Sequence, residues 1–329
     1  MFSVIIPLYN KAGHIEKAIR SVLNQSYHEF ELIIVNDGST DNSMEVVNHY
    51  LHAQEKEGNS SLLQHVRIIN QPNAGVSAAR NSGAAAATHN YIAFLDADDW
   101  WHKHYLVNLK GLIEDYPEAV LYSTAYYQIK RGNINPAPIG VEPGFKRGYI
   151  NYCRVYARIL CMPVWTSATV IRKKVFEEFR GFNPNLKMGE DFDLWIRVAL
   201  KYKVALLNEP LAYYNHDQNE DERAVVRDRI YPSSQHVIFN LNYLETEEQN
   251  NPDLKELLDA LRVYTLRPYY LNKPTRREAQ AELAKVNWKM QPFKERFRYK
   301  SPVMLAKAQY QAMIWGSEIK QYILRHSGH

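Results

Sequence analysis

Four short apolar runs alternate with helical patterns over the first hundred residues, and this alternation constrains the fold more than any other feature. The runs are rich in Val, Ile and Phe and are bounded by polar segments, which is typical of buried strands. They cover Ser3–Leu8, Phe30–Val35, Val66–Ile69 and Tyr91–Leu95. Strand–helix alternation at this spacing predicts βαβ units and therefore an α/β fold with a parallel or mostly parallel sheet flanked by helices.

Three helices are predicted between these strands. The second runs from Asp41, an N-cap candidate, to about Lys56, and the third, rich in small residues, runs from Val76 to Ala87. The first ends near Asn24, and its buried face is predicted to carry Ile15, Ala18, Ile19, Val22 and Leu23.

Three carboxylates follow the fourth strand within four residues: Asp96, Asp98 and Asp99. Ligands of open α/β sheets bind at the carboxyl edge of the strands, and clustered hard oxygens suit Mg²⁺ or Mn²⁺, which suit a phosphate-bearing substrate. The alternative is an Asp N-cap for a helix that starts near Trp100 and reaches about Asp115. One cap does not need three carboxylates, and the cap interpretation is favoured only for Asp99.

The next hundred residues are predicted to add strands at Ala119–Tyr127, Val164–Arg172 and Val204–Leu207, and a helix that begins after Gly189. The segment Gly132–Gly148 has no clear period, so a long hairpin connection and an acceptor loop both remain open. Beyond Glu220 helical periodicity predicts a helical C-terminal extension rather than a second sheet. Its expected helices are Val225–Leu244, Leu254–Leu271, Arg276–Val286 and Val303–Leu324.

Composition and charge narrow the class of protein. Hydrophobic residues at 46% and charged residues at 23% are globular values, and no apolar run approaches the ~20 residues that span a bilayer. The N-terminus lacks a secretory pattern, and two cysteines without metal-like spacing fit a reducing cytoplasm. Residues 285–329 carry nine Lys or Arg against two Glu, a formal charge of +7, which leaves −3 for residues 1–284. This basic, aromatic-bearing tail fits a bilayer surface better than nucleic acid, and a solvated helix connection remains the alternative.

Four sequence blocks occur in order: Val-Ile-Ile-Pro-Leu-Tyr-Asn, Ile-Val-Asn-Asp-Gly-Ser-Thr-Asp, Asn-Ala-Gly-Val-Ser-Ala-Ala-Arg-Asn and Phe-Leu-Asp-Ala-Asp-Asp. Together they resemble family 2 glycosyltransferases with a GT-A fold, over roughly residues 1–220. The resemblance implies a GT-A domain at 1–219, with its nucleotide-binding part at about 1–100 and its acceptor part at about 101–219. Residues 220–329 would form the extension.

The resemblance implies a donor-nucleotide site made by Pro7, Tyr9, Asp37, Arg80 and Asp96. Asp37 would accept a hydrogen bond from the imide N–H of uracil, Arg80 would lie near the base or diphosphate, and Asp96 would bind the ribose hydroxyls. Pro7 and Tyr9 would form a wall against the nucleotide. Taken alone, Asp37 is also consistent with a turn residue and Arg80 with a residue on a helix surface.

A metal site is implied as well, with Asp98 binding Mn²⁺ or Mg²⁺ that bridges the two phosphates. His216 matches a metal-reaching His of relatives by position only, and a lone His is more often structural. If His216 is a ligand, its imidazole favours Mn²⁺ over Mg²⁺.

The block Gly-Glu-Asp-Phe-Asp-Leu-Trp resembles the family's Glu-Asp block, which implies that Asp191 is the general base. Inverting transfer to a hydroxyl needs one base within reach of the acceptor. Glu190 would orient the acceptor, and Asp193 would point away along the helix. Acid at a helix start is also explained by the helix dipole. Trp165 is either a sugar-stacking surface or, more often for such a residue, part of the core.

The resemblance therefore implies a metal-dependent inverting hexosyl- or N-acetylhexosaminyl-transferase. It would move a sugar from a nucleotide diphosphate sugar, UDP-linked by expectation, to a hydroxyl of a glycan or lipid-linked acceptor in cell-surface polysaccharide synthesis. The expected location is cytoplasmic, with peripheral contact at the inner face of the membrane and no nucleic-acid partner. A nucleotidyltransferase would need a Gly-rich phosphate loop that Pro7-Leu8-Tyr9-Asn10 does not supply. A non-catalytic scaffold on the same fold would be expected to lose its site carboxylates.

Overall fold

A group of four parallel strands forms the first half of the molecule. Strand β1 (Phe2–Leu8) lies between β2 (Phe30–Asp37) and β4 (Tyr91–Phe94), and β3 (Val66–Gln71) pairs with the outer side of β2. Every residue of β1 is buried. The computed structural model describes residues 1–58, 63–217 and 229–312. All four predicted strands are confirmed within two residues at each end.

In the described part of the chain, three helices connect these strands at the predicted places. Helix α1 (Ile15–Leu23) buries the five residues that its periodicity selected, and α2 spans Ser43–Lys56. Helix α3 (Val76–Ala86) packs so closely on β1 that a Cβ added at Gly83 would lie 2.4 Å from Ile5 Cγ2. The small residues of α3 are therefore what lets it approach the sheet.

The second half of the sheet mixes directions. Strand β9 (Thr169–Arg172) runs antiparallel to β4 and to β6 (Ala119–Lys130), and β10 (Lys203–Asn215) runs parallel to β6. The two-residue strand β5 (Trp100–Trp101) pairs with β10 at the edge. Ten strands of the described residues share one sheet: eight follow the path β3-β2-β1-β4-β9-β6-β10-β5, and two more pair with β6 and β10 off this path. A mostly parallel α/β sheet flanked by helices is confirmed as the fold class.

Two predicted elements, a helix and a strand, begin later in the chain than expected. No helix starts near Trp100, because Trp100 and Trp101 pair with Tyr213 and Ala212, and helix α4 begins only at Tyr105 (Tyr105–Asp115). The strand expected from Val164 begins at Thr169, because the residues before it form a 3₁₀ turn.

The segment whose character the sequence left open forms a hairpin at its start. Strand β7 (Asn133–Pro136) pairs back on β6, and β8 (Arg147–Ile150) pairs with β10. The remaining helices of this half are α5 (Tyr152–Ile159), α6 (Lys173–Glu178) and α7 (Glu190–Lys201).

Contacts divide the chain into two units, Met1–Asn240 and a second that begins at Leu241. The boundary expected after residue 219 lies next to residues 218–228, which are outside the described part, so it stays a prediction. The expected helix Val225–Leu244 is wrong where it is described, because residues 229–244 contain three short 3₁₀ turns and no α-helix.

The second unit is helical, as expected of the extension. Its helices are α8 (Glu245–Asn250), α9 (Pro252–Thr265), α10 (Arg267–Leu271), α11 (Arg276–Leu283) and α12 (Phe293–Lys300). The expected Leu254–Leu271 helix is thus divided near Leu266, and Pro268 lies in the first turn of α10. Residues 303–312 are helical, and the rest of the expected Val303–Leu324 helix lies outside the described residues. Among those described, no helix is long and apolar enough to cross a membrane.

Candidate functional site

Asp37 ends strand β2 and holds the loop that leads into α3. Its Oδ1 accepts hydrogen bonds from Gln71 Nε2 at 2.7 Å and from the Ala74 amide at 2.9 Å, and its Oδ2 accepts one from the Gly75 amide at 2.8 Å. Gly75 has φ +92°, a conformation that glycine adopts readily, and it precedes the first residue of α3. Asp37 therefore has a structural role, and its Oδ2, which accepts one of these three bonds, can still accept a second.

Arg80 on α3 connects two parts of the site. Its side chain is 4% exposed, and it donates to Asp96 Oδ1 at 2.6 Å and to Glu190 Oε1 at 3.0 Å. The guanidinium also lies 5.1 Å from the centre of the Phe182 ring. The interpretation of Arg80 as a residue on a helix surface is wrong, because the helix presents it to the sheet edge and to the start of α7.

The three carboxylates after β4 have three different environments. Asp96 pairs with Arg80, and Asp98 Oδ2 lies 2.7 Å from Lys11 Nζ. Asp99 is fully buried and accepts hydrogen bonds from the Asn215 amide at 2.9 Å and from Trp165 Nε1 at 3.3 Å. Burial, together with the nearby Asp98 and Asp96 carboxylates, raises the pKa of Asp99 well above its ordinary value. The N-cap interpretation of Asp99 is wrong, because this side chain connects the loop to β10.

The acidic start of α7 faces Arg80. Gly189 has φ +78°, and a Cβ there would lie 2.3 Å from Val237 Cγ1, so a glycine is needed just before the helix. Burial raises the pKa of Asp191, while Arg80 acts in the opposite direction, and Thr166 Oγ1 lies 3.5 Å from Asp191 Oδ2. Burial and the Asp191 charge raise the pKa of Glu190 to about 7. The two carboxyls therefore hold protons more strongly than free side chains do.

Asp193, two residues further along α7, pairs with Arg197 at 2.8 Å. Arg197 in turn donates to the Phe179 and Gly181 carbonyls. Asp193 is thus held in a separate network from Glu190 and Asp191.

An aromatic group adjoins the Asp99 carboxyl. The Trp165 ring lies 4.1 Å from Tyr214, and Tyr214 lies 3.9 Å from His216, measured between ring centres. Burial and the nearby Asp99 and Asp98 carboxyls raise the pKa of Tyr214. Trp165 is half-buried and packs against the core, so both of its predicted roles remain compatible with its position.

Of the other predicted nucleotide residues, Pro7 lies one residue before the end of β1, opposite Val35, and is buried. Tyr9 follows the strand and is exposed. Sequence reasoning did not select Lys11, Thr166 or Tyr214 as site residues. Lys11 follows the Pro-Leu-Tyr-Asn block by one residue, so its place in a strand-end loop was the available signal.

A divalent ion would depend on oxygens from outside the protein. Among the described residues no group of three His, Cys, Asp or Glu side chains could hold a metal ion. Asp98 supplies a hard oxygen already paired with a cation, which fits one protein ligand to Mg²⁺ or Mn²⁺ completed by phosphate oxygens.

Comparisons with known proteins agree with this architecture. Residues 3–180 match the family model described as glycosyl transferase family 2. A hyaluronan synthase of Pasteurella multocida is 26% identical over 295 residues, which are 87% of this chain and 27% of that protein. The chain spans about a third or less of the length of the first curated relatives it matches.

Two solved structures share the fold at low sequence identity. S. aureus TarS 1–349 in complex with UDP-GlcNAc matches with a TM-score of 0.70 and 17% identity, over 96% of this chain and 92% of that one. The mannosyltransferase PcManGT from Pyrobaculum calidifontis, in complex with GDP-Man and Mn²⁺, matches with a TM-score of 0.52 and 19% identity, over 95% and 80%. The GT-A fold implied by the sequence blocks is therefore confirmed.

Proposed function

The chain belongs to glycosyl transferase family 2, and on that basis we propose that it transfers a sugar from a nucleotide diphosphate sugar to a hydroxyl group. The observation that carries the proposal is the pair of contacts made by Arg80, to Asp96 at the end of β4 and to Glu190 at the start of α7. These contacts bring a strand-end carboxylate and the neighbouring Asp191 into one site. In this proposal the donor edge and the proton acceptor occupy adjacent positions.

The donor is a UDP-sugar in this proposal, and the sugar is a hexose or an N-acetylhexosamine. The TarS structure with UDP-GlcNAc supports the uridine nucleotide, whereas PcManGT binds GDP-Man. Asp37 would accept a hydrogen bond from the uracil imide N–H at the acceptor position that its loop contacts do not use. Asp96 would bind the ribose hydroxyls, and Pro7 and Tyr9 would border the base. Arg80 would hold Asp96 in place and contribute positive charge near the diphosphate.

In the transfer step the acceptor oxygen forms a bond to the anomeric carbon while the bond from that carbon to the diphosphate breaks. The diphosphate leaves with the bonding electron pair, and Asp191 accepts the acceptor's proton. The raised pKa of Asp191 suits this role, because a general base works best when its pKa approaches the operating pH. Glu190 would orient the acceptor, with Trp165 as an adjoining sugar surface.

Asp98 would hold the divalent cation, Mn²⁺ or Mg²⁺, with His216 as a further candidate ligand. The cation, when bound, supplies positive charge that stabilises the departing diphosphate. PcManGT in complex with Mn²⁺ supports a divalent ion in this fold.

The test of the base is Asp191→Asn, which keeps the shape of the side chain and removes its proton affinity. Turnover, measured as UDP release in the presence of acceptor glycans, should fall ~10²–10⁴-fold, while UDP affinity by calorimetry stays within about twofold. Asp193→Asn is the matched control, because Asp193 pairs with Arg197 outside the site. An Asp191→Asn variant that retains more than a tenth of wild-type turnover, with chemistry rate-limiting, would assign the role elsewhere.

The same experiment separates the two other readings. A nucleotidyltransferase would release pyrophosphate from a nucleoside triphosphate, and neither Asp191 nor acceptor glycans would affect that release. A non-catalytic scaffold would bind UDP-sugars without turnover in any variant. Either outcome would replace the proposal.

We also propose that the second unit contacts an anionic bilayer at the cytoplasmic face of the membrane, where a lipid-linked or growing glycan acceptor would lie. Within residues 288–312 there are six Lys or Arg and one Glu, and Glu295 pairs with Arg298. Large apolar side chains are exposed among them: Met290 at 78%, Phe293 at 75%, Phe297 at 52% and Met304 at 87%. The basic segment expected from the sequence to reach this surface extends to residue 329, and residues 313–329 lie outside the described part.

Helix α12 has two different faces in this segment. Tyr299 donates from its hydroxyl to the Val263 carbonyl and packs on Trp288, so that face is attached to the second unit. Phe293 and Phe297, one turn apart, stack on each other and are exposed, with Lys294 and Lys300 beside them. An apolar face bordered by basic residues suits insertion among anionic headgroups, where each basic residue contributes about 1 kcal/mol.

The combined variant Phe293→Ser with Phe297→Ser should lose co-sedimentation with phosphatidylglycerol vesicles at low salt and keep UDP binding. Wild-type binding should weaken as salt rises, because the screening length falls to ~3 Å at 1 M. Truncation after Val286 should give the same loss. Ile134→Ser, an exposed apolar residue of β7, is the control. A wild-type protein that ignores anionic vesicles at low salt would reduce this surface to a packing or self-association element.

A further inference from the structure

Lys11 places a positive charge on the carboxylate proposed to bind the metal. Its Nζ lies 2.7 Å from Asp98 Oδ2, and both side chains are largely buried, at 14% and 15% exposure. An ion pair this well shielded is stronger than a surface pair, because water and salt screen it less. The Lys11 ammonium therefore occupies one side of the Asp98 carboxylate.

The loop that carries Lys11 is fixed by hydrogen bonds to the loop after β2. The Lys11 amide donates to Ser43 Oγ at 2.8 Å, and the Thr40 amide donates to Asn10 Oδ1 at 2.8 Å. The Lys11 carbonyl accepts from the amides of His14 and Ile15, which begin α1. The backbone of Lys11 is thus held between two strand ends, and its position next to Asp98 is set by the fold.

The three carboxylates after β4 have different partners. Asp96 pairs with Arg80 at 2.6 Å, and the buried Asp99 accepts hydrogen bonds from the Asn215 amide and from Trp165 Nε1. Asp98 is the member of the three that pairs with Lys11. An entering diphosphate adds further negative charge to the same place and must be compensated by a cation.

We propose that Lys11 is a diphosphate-positioning residue that pairs with Asp98 and turns to the phosphate oxygens when a metal-bound nucleotide binds. The proposal rests on the nucleotide-sugar function above. The Lys side chain suits the exchange, because its ammonium has three donors on a flexible stem and binds phosphate as a point charge. The chain's own cation and the divalent ion would then compete for one carboxylate.

Because of this competition, Asp98→Asn should have opposite effects on UDP affinity in Mn²⁺ and in chelator. With Mn²⁺ present, the variant should bind UDP more weakly, because the carboxylate that holds the ion is gone. In chelator the same variant should bind UDP several-fold more tightly than the wild type, because Lys11 is released and a repelling charge is removed. Calorimetry with UDP measures both affinities directly, without turnover.

Lys11→Met should lower UDP affinity about tenfold or more in Mn²⁺, where Lys11 would contact the phosphate oxygens, which is the scale of a lost hydrogen bond to a charged group. In chelator, where Asp98 would keep the ammonium, the loss should be smaller. Lys11→Arg should recover part of the affinity in Mn²⁺. Affinity for uridine, which carries no phosphate, should not change. Lys17→Met is the control, since it removes an equal charge from α1 at a side chain that lies over the Trp100 ring.

Two results would overturn the proposal. One is an Asp98→Asn variant that binds UDP no more tightly than the wild type in chelator. The other is a Lys11→Met variant whose UDP affinity is unchanged in both media, or whose uridine affinity falls as much as its UDP affinity. Failure of the proposed function looks different, because UDP would then bind to no variant in either medium.

Discussion

Replacing Arg80 by Met would test the connection between the donor edge and the start of α7. Met keeps a flexible apolar stem against Phe182 and removes the charge between Asp96 and Glu190. Both carboxyls would then remain in a buried site without their common partner. Breaking a buried ion pair in this way costs about 3–5 kcal/mol. At about 2–4 °C per kcal/mol for a unit of this size, Tm should fall by roughly 6–20 °C.

The stability lost in Arg80→Met should increase as pH rises. Arg80 lowers the pKa of Glu190, so without Arg80 that pKa rises further, and the variant loses stability as pH rises and Glu190 becomes charged. The Tm difference between wild type and Arg80→Met should therefore be larger at pH 8 than at pH 5. Thermal unfolding followed by circular dichroism at both pH values measures it.

The control and a double-mutant cycle separate this network from a general loss of charge. Arg20→Met removes an exposed arginine that pairs with Glu16 one turn away, and should change stability by no more than about 0.5 kcal/mol. Adding Glu190→Gln to Arg80→Met should recover part of the loss, since the second substitution removes an unpaired buried charge. A fall in Tm below about 2 °C, or one that is equal at both pH values, would refute the reasoning.

Three further outcomes are expected. Gly83→Ala should destabilise the protein by about 1–3 kcal/mol in urea unfolding, because its Cβ would overlap Ile5, whereas Gly111→Ala in α4, with open space around the new Cβ, should stabilise it by ~0.5–1 kcal/mol. Equal effects of the two would contradict the packing of α3. Because the pKa of Glu190 is raised from 4.5 to about 7, its contribution to stability is present below about pH 4.5 and is lost as pH rises through 7. Glu190→Gln should therefore raise Tm relative to wild type more at pH 8 than at pH 5. Asp99→Asn should retain most of the stability, since burial raises the pKa of the Asp99 carboxyl and so disfavours its charged form, whereas Asp99→Lys should prevent folding, as far-UV circular dichroism would show.

The sheet's first half could be predicted because its determinants are local. The runs that became β1, β2 and β3 are apolar and β-branched, and the five apolar positions of α1 follow one face of a helix. The apolar pattern of each strand or helix agrees with that of the adjacent elements, so periodicity alone was sufficient to predict them. The strand-end carboxylates were found for the same reason, since their place follows from the alternation.

Elements defined by distant partners could not be predicted in this way. Strand β5 has two residues, and only its pairing with Tyr213 and Ala212 makes it a strand rather than the first turn of a helix. Residues 229–240 have apolar residues at helical spacing, but Met188 forms a bridge with His236, and the chain follows that contact instead. Tertiary pairing overrides a weak local preference in both cases.

The partners of the buried carboxylates are the part of the site that the sequence predicted least. Asp96, Asp98 and Asp99 look equivalent in the sequence, yet Asp96 pairs with Arg80 from α3 and Asp98 pairs with Lys11 from the loop after β1. Asp99 is buried beside Trp165, and burial raises its pKa. Like charges this close together repel, so an arrangement without partners would be costly. The fold therefore supplies two cations and one apolar cover for them. Asp99 connects its loop to β10 by accepting a hydrogen bond from the Asn215 amide. Asp96 and Asp98, by contrast, are held by side-chain cations, and those ion pairs can be exchanged when a charged ligand binds.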